Sequence, residues 1–125
     1  SLLGLVLTIA PAVAAGCAVV VVANEAAPLA AATLAEVLAV SDVPGGVINI
    51  LTGSPAEIAP WLASHADVNA IDLAGAGGLE WVDLQIAAAQ TLMRTLEPVD
   101  PIPLSLTRIL AFTETKTVWH TKSSR

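Results

Sequence analysis

The chain has 125 residues, a formal net charge of −6 at pH 7 and 55% hydrophobic residues, which predicts one domain built around one core. Every Lys and Arg lies at or beyond Arg94, so the clustered cations that nucleic acid binding requires are missing and we exclude that function. The single cysteine, Cys17, excludes an internal disulfide and is compatible with the cytoplasm, where we expect the protein.

The first element is an uncharged run over residues 2–23 that is long enough to span a membrane. Pro11, Gly16 and the β-branched run 19–22 favour instead a helix over 2–15, a turn at Gly16 and a fully buried strand over 18–23. We therefore predict no membrane contact. The apolar, helix-like start at Ser1 is compatible with a missing upstream segment.

The next elements repeat this strand and helix pattern. Apolar residues after Pro28 recur at helical spacing, the turn 43–46 stops that helix, and residues 47–51 predict a second buried strand. Ser54 is the predicted N-cap of a third helix that runs through Ser64, with Glu57 completing a capping box.

Further along the chain we predict a third strand over 70–73 and a long helix over 79–96. Strands that alternate with helices in this way predict an α/β fold with a three-layer, Rossmann-like parallel sheet. We expect residues 1–96 to form this domain, the proline-rich stretch 97–103 to be an extended connector, and residues 104–125 to form a C-terminal helix and strand.

Two blocks of residues between Ile9 and Gly53 follow each other at a fixed spacing. The first block is Pro11, Ala12, Ala14, Ala15, Gly16, Val19, Val20, Glu25, Pro28 and Leu29, and the second is Val43, Pro44, Gly46, Val47, Ile48, Asn49, Ile50 and Gly53. Both blocks resemble the nucleotide-binding half of the aldehyde dehydrogenases, a family of NAD(P)-dependent oxidoreductases. The resemblance implies a partial aldehyde dehydrogenase fold, and the C-terminal segment resembles the part of the family that follows the catalytic cysteine.

The resemblance also implies where NAD or NADP would bind. The family's ribose-binding lysine falls on Val22 and its glutamate on Glu25. The glycine-rich turn keeps only its first glycine, and the third motif ends in Ala76 where the family has serine. The cofactor-binding positions that remain, which we regard as vestigial, are Glu25, Gly53, Ser54 and Gly75.

Each of these positions also has an interpretation without a ligand. Glu25 is then a solvated loop carboxylate, and the segment after Gly53 is a capped helix that binds nothing. Pro55 removes an amide donor, and Glu57 would repel a phosphate. We therefore expect the affinity for NAD or NADP to be weak.

The sequence predicts no catalytic residue and no metal site. Cys17 stands at the start of a buried strand, where cysteine is usually an inert small hydrophobe. The family's catalytic cysteine and the glutamate-containing segment before it have no counterpart in these residues. His65 and His120 lack partners at zinc-ligand spacing.

The function that we favour is a non-catalytic dehydrogenase-like domain that pairs with a protein partner, either another copy or a complete aldehyde dehydrogenase subunit. The expected contact is the strand 116–120 with the helix near Leu79, and the candidate anchors are Trp81, Phe112 and Trp119, which alternatively pack on this domain. Two alternatives stay open. The chain is part of an active dehydrogenase whose catalytic residues lie on another chain or segment, or it is a nucleotide-sensing module that depends on Glu25 and Gly75.

Overall fold

The structure, a computed structural model that describes residues 2–99 and 102–121, alternates helices with short parallel strands. The described elements are, in order, α1 (Leu2–Ala14), β1 (Val19–Val22), α2 (Leu29–Ala39), β2 (Ile48–Leu51), α3 (Pro55–Ser64), β3 (Ala70–Asp72), α4 (Trp81–Ala89), β4 (Arg94–Leu96) and α5 (Leu106–Ala111). The predicted α/β class with parallel strands is confirmed.

The strands form two parallel pairs. β1 pairs with β2 in a register that runs from Val19 opposite Ile48 to Val22 opposite Leu51. β3 pairs with β4, from Ala70 opposite Arg94 to Asp72 opposite Leu96. Since both pairs are parallel, the carboxyl ends of the two strands in each pair lie at the same edge.

The N-terminal run folds as the helix, turn and strand that its sequence predicts, but the strand is not fully buried as expected. Gly16 has a φ of +85°, a left-handed conformation that favours glycine, and it lies in the turn that follows α1. The Cys17 N–H donates to the Ala12 carbonyl at 3.0 Å and so closes the end of the helix. Within the described residues, no helix has the length and hydropathy needed to cross a bilayer.

The prediction of one long helix over 79–96 is wrong. α4 ends at Ala89, and Leu92 takes a φ of +56°. The Met93 N–H then donates to the Ala88 carbonyl at 3.0 Å, which turns the chain out of the helix. The remainder becomes β4 because it finds β3 as a partner, and this tertiary pairing outweighs a weak helical preference.

The expected C-terminal strand over 116–120 is also absent from the structure. The predicted helix over 104–112 is present as α5, but residues 113–121 have no regular secondary structure and are exposed. A strand needs a partner for its backbone hydrogen bonds, and none of the described strands pairs with this segment.

The core lies between α3, α4 and the end of β3. Its buried members are Ala63, Leu73, Ala76 and Leu84. Two of these four side chains are alanines, and no large side chain in the described residues is fully buried. The domain therefore holds a thin core for its proportion of apolar residues.

Candidate functional site at the strand ends

Three of the four predicted cofactor positions, Glu25, Gly53 and Ser54, follow the same edge of the β1–β2 pair. The Ala23 N–H donates to the Leu51 carbonyl at 2.8 Å, so the pairing continues one step beyond β1. The turn with Glu25 and the segment Gly53-Ser54 both leave the sheet from there. In parallel α/β sheets, this is the edge at which ligands bind.

Glu25 lies in an exposed turn after β1. The neighbouring Asn24 holds this turn, because its Oδ1 accepts the N–H of Ala26 at 2.8 Å. Val22 occupies the position of the family's lysine. It is a half-buried strand residue whose side chain has no hydrogen-bond donor. Glu25 is thus placed as a solvated carboxylate beside an apolar strand end.

Gly53 has a steric role that needs no ligand. Its φ is +144°, and a Cβ added here would lie 3.0 Å from Ile58 Cδ1. Both facts favour glycine, because the chain must approach α3 closely at this turn.

Ser54 precedes α3, but the predicted capping box is wrong. The Ser54 side chain makes no capping hydrogen bond. Its backbone carbonyl instead accepts the N–H groups of Glu57 and Ile58, each at 3.1 Å. Pro55, the first helical residue, has no N–H, and Glu57 adds a carboxylate to the first turn. This helix start does not fit a pyrophosphate.

The fourth position, Gly75, lies in an exposed turn after β3. The preceding strand residue, Asp72, accepts the Ala74 N–H on Oδ1 at 2.9 Å and forms an ion pair through Oδ2 with Arg108 Nη2. Sequence analysis missed this pair, although an aspartate in an otherwise apolar strand is a signal that a buried partner is needed.

Comparisons with known proteins show which family the chain belongs to. The profile described as "Aldehyde dehydrogenase family" matches residues 1–94. The chain belongs to the aldehyde dehydrogenase family. The match covers the elements from α1 to the start of β4 and leaves α5 outside it.

Individual aldehyde dehydrogenases are similar to this chain in sequence and in structure. The chain is 36% identical over 84 residues to "Aldehyde dehydrogenase 1" of Tanacetum cinerariifolium, covering 67% of this chain and 17% of that protein. It is 36% identical over 86 residues to "Aldehyde dehydrogenase family 2 member C4" of Arabidopsis thaliana, covering 69% and 17%. A crystal structure of an aldehyde dehydrogenase from Bartonella henselae superposes with a TM-score of 0.63 at 34% identity, covering 73% of this chain and 19% of the other.

Cys17 lies where α1 gives way to β1 and is half-buried. Its thiol donates to the Phe112 carbonyl, with 3.5 Å between sulfur and oxygen, so it joins the start of β1 to the end of α5. This contact gives Cys17 a packing role in the dehydrogenase fragment.

Proposed function

We propose that this chain is an aldehyde dehydrogenase nucleotide-domain unit that does not catalyse alone and pairs with a complete dehydrogenase subunit. The observation that carries the proposal is the uncovered face of the β1–β2 pair. Val20, in the middle of the all-valine strand β1, is 48% exposed, although we expected this strand to be fully buried. Parallel sheets are normally covered on both faces, so further protein belongs on this one.

Other apolar side chains point to missing contacts as well. The exposed large hydrophobic residues with more than half of their surface accessible include Leu3, Leu29, Val37, Val40, Trp61, Ile86, Leu92, Leu104, Leu106, Leu110, Val118 and Trp119. The chain spans only 17% of the two plant relatives. An aldehyde dehydrogenase polypeptide is therefore the occupant that these surfaces fit best. We expect NAD or NADP as the cofactor of this assembly, because that is the cofactor of the family.

The structure changes which aromatic residues are the best candidates for contact with a partner. Phe112 is only 9% exposed, and Trp81 is partly buried and packs against the core cluster, so both pack on this domain itself. Trp119 is 91% exposed and remains a candidate. Trp61, which we did not single out from the sequence, is 75% exposed and is the stronger candidate because it stands on the regular helix α3.

The first prediction is that the chain alone oxidises no aldehyde and hydrolyses no activated ester. Thiolate attack needs an accessible, polarised cysteine, and the Cys17 thiol is half-buried against a carbonyl. Iodoacetamide should therefore label the folded chain much more slowly than the urea-unfolded chain, as read by mass spectrometry. Esterase turnover that disappears in Cys17→Ser would contradict the proposal.

The second prediction is that NAD and NADP bind too weakly to reach half-saturation below millimolar concentration. Val22 offers no donor, Pro55 removes an amide and Glu57 repels phosphate. Isothermal titration calorimetry of the purified chain measures this affinity directly. A dissociation constant in the micromolar range, about −8 kcal/mol, would favour the nucleotide-sensing alternative.

A second candidate function is a segment of an active aldehyde dehydrogenase whose catalytic residues lie on another chain or segment. The family match and the uncovered sheet face support it equally. The two candidates differ in the partner. A complete subunit retains its own nucleotide domain, whereas a complementing segment lacks one and becomes active only when this chain is added. Mixing experiments with each kind of partner distinguish them.

A further inference from the structure

A groove of about 460 Å³ lies between α1 and α5. Its walls are apolar side chains of α1, of α5 and of the residues just before α5, among them Val6, Ala10, Ala14, Leu104, Leu106 and Ile109. Ser105 also lines the groove, but its hydroxyl already accepts the Thr107 N–H at the start of α5. Since no charged side chain of the described residues lines the groove, it favours an uncharged, apolar occupant.

The residues that follow α5 carry an apolar pair without cover. In the segment 113–121, which we call the tail, the large apolar side chains are Val118 and Trp119, and they are 69% and 91% exposed. The other residues of the tail are polar or charged. Burial of one tryptophan removes about 200 Å² of surface from water, so Trp119 is the tail residue with the most to gain from a covered position.

The start of the tail is held at one end of the groove. The Cys17 thiol donates to the Phe112 carbonyl, with 3.5 Å between sulfur and oxygen. Arg94 Nη1 donates to the carbonyl of the next residue, Thr113. Because Cys17 follows α1 and Phe112 follows α5, the two helices end close together here. Ala14, the last residue of α1, lines the groove at this end.

The tail is long enough to return along the groove. From Thr113 to Trp119, an extended chain reaches at most about 20 Å. The α1 wall of the groove, from Ala14 back to Val6, is only about 12 Å long. Because a short linker joins Trp119 to this wall, its local concentration at the groove is on the order of millimolar, which favours the chain's own tail over a free partner.

We propose that the tail is a strap that closes over the groove and seats the Trp119 indole between α1 and α5. The structure shows the strap open, with its start fixed and its apolar pair exposed. Closure covers the groove and Trp119 together, and Trp61 is then the most exposed aromatic side chain that remains for a partner. The strap depends on contacts within the chain, so it closes whether or not a dehydrogenase subunit binds.

Fluorine nuclear magnetic resonance of the full chain labelled with fluorotryptophan tests the strap. Single substitutions to phenylalanine assign the resonances of the three tryptophans. When heavy water replaces light water, the Trp119 resonance should shift much less than the Trp61 resonance, because the seated indole is shielded from solvent. A Trp119 resonance with the same solvent shift as that of Trp61 would overturn the proposal.

Two matched variants of α1 make the result specific. Ala10→Glu places a charge in the groove at a position that is exposed while the strap is open, so the helix tolerates it. It should release Trp119 and raise its solvent shift to that of Trp61. Leu3→Glu makes the same change in charge at an exposed position outside the groove lining, so it should leave Trp119 shielded. Equal responses to the two variants would rule out a seat in this groove.

Dilution separates the chain's own tail from the tail of a second copy. Shielding within one chain does not depend on concentration, so the Trp119 solvent shift should stay the same after a tenfold dilution. Shielding that disappears on dilution would show that the tail is exchanged between copies, and the strap would then be the wrong description.

Discussion

Arg108→Ala is expected to lower the free energy of unfolding by about 3–5 kcal/mol, because it leaves the Asp72 carboxylate buried without its partner. The Arg108 and Asp72 side chains are only 8% and 13% exposed, so water replaces little of the lost interaction. The same substitution detaches α5 from the end of β3. Urea denaturation followed by far-ultraviolet circular dichroism measures the change.

A matched control for Arg108 is available in the C-terminal segment. Lys116 lies 3.9 Å from Glu114 in an ion pair with side chains that are 80% and 69% exposed. Exposed pairs contribute little, so Lys116→Ala should change stability by less than about 1 kcal/mol. Equal effects of the two substitutions would show that the Asp72–Arg108 pair does not hold α5 on the domain.

Leu84→Ala is expected to lower the free energy of unfolding by about 2–5 kcal/mol, because it leaves a cavity in the core cluster. Leu84 is 6% exposed on α4, whereas Ile86 on the same helix is 59% exposed. Ile86→Ala is therefore the control, because it removes an aliphatic side chain from the same helix without leaving a buried cavity. Leu84 and Leu73 are the largest buried aliphatic side chains of this core cluster. A thermal unfolding transition that Leu84→Ala leaves unchanged would contradict this description of the core.

The sequence predicted the elements that local chemistry defines. Gly16 and the turn 43–46 separate helices from strands. The turn residues and the apolar segments between them are therefore enough to predict α1, β1, α2 and β2. The family resemblance extended this prediction to the fold class, and the match over residues 1–94 confirmed it.

The elements that the sequence did not predict depend on contacts between distant residues. β4 exists because it pairs with β3, and nothing in residues 94–96 distinguishes them locally from the end of a helix. Asp72 and Arg108 are 36 positions apart, so no local spacing rule joins them. The exposure of Val20 is equally non-local, since an all-valine strand predicts burial and only the surrounding sheet decides whether a second face is covered.

For the candidate site, the sequence located the strand ends correctly but not the interactions there. Glu25, Gly53 and Ser54 follow the edge that a parallel sheet offers to ligands, and this follows from the order of strands and helices. The steric need for Gly53 beside Ile58 depends on how α3 packs, and so does the absence of a Ser54 side-chain cap. The spacing of residues in the sequence predicts neither the steric need for Gly53 nor the missing Ser54 cap.

The uncovered face of β1 predicts that the chain is associated with a partner, and native mass spectrometry of the particle purified from its source cells measures this association. We expect a particle heavier than the 12.7 kDa of this chain, in which the additional mass is an aldehyde dehydrogenase polypeptide with a catalytic cysteine. Trp61→Ser should weaken that assembly, whereas Asp83→Ser should not. A monodisperse particle of 12.7 kDa at micromolar concentration, unchanged by Trp61→Ser, would contradict this association and indicate a domain that is stable by itself.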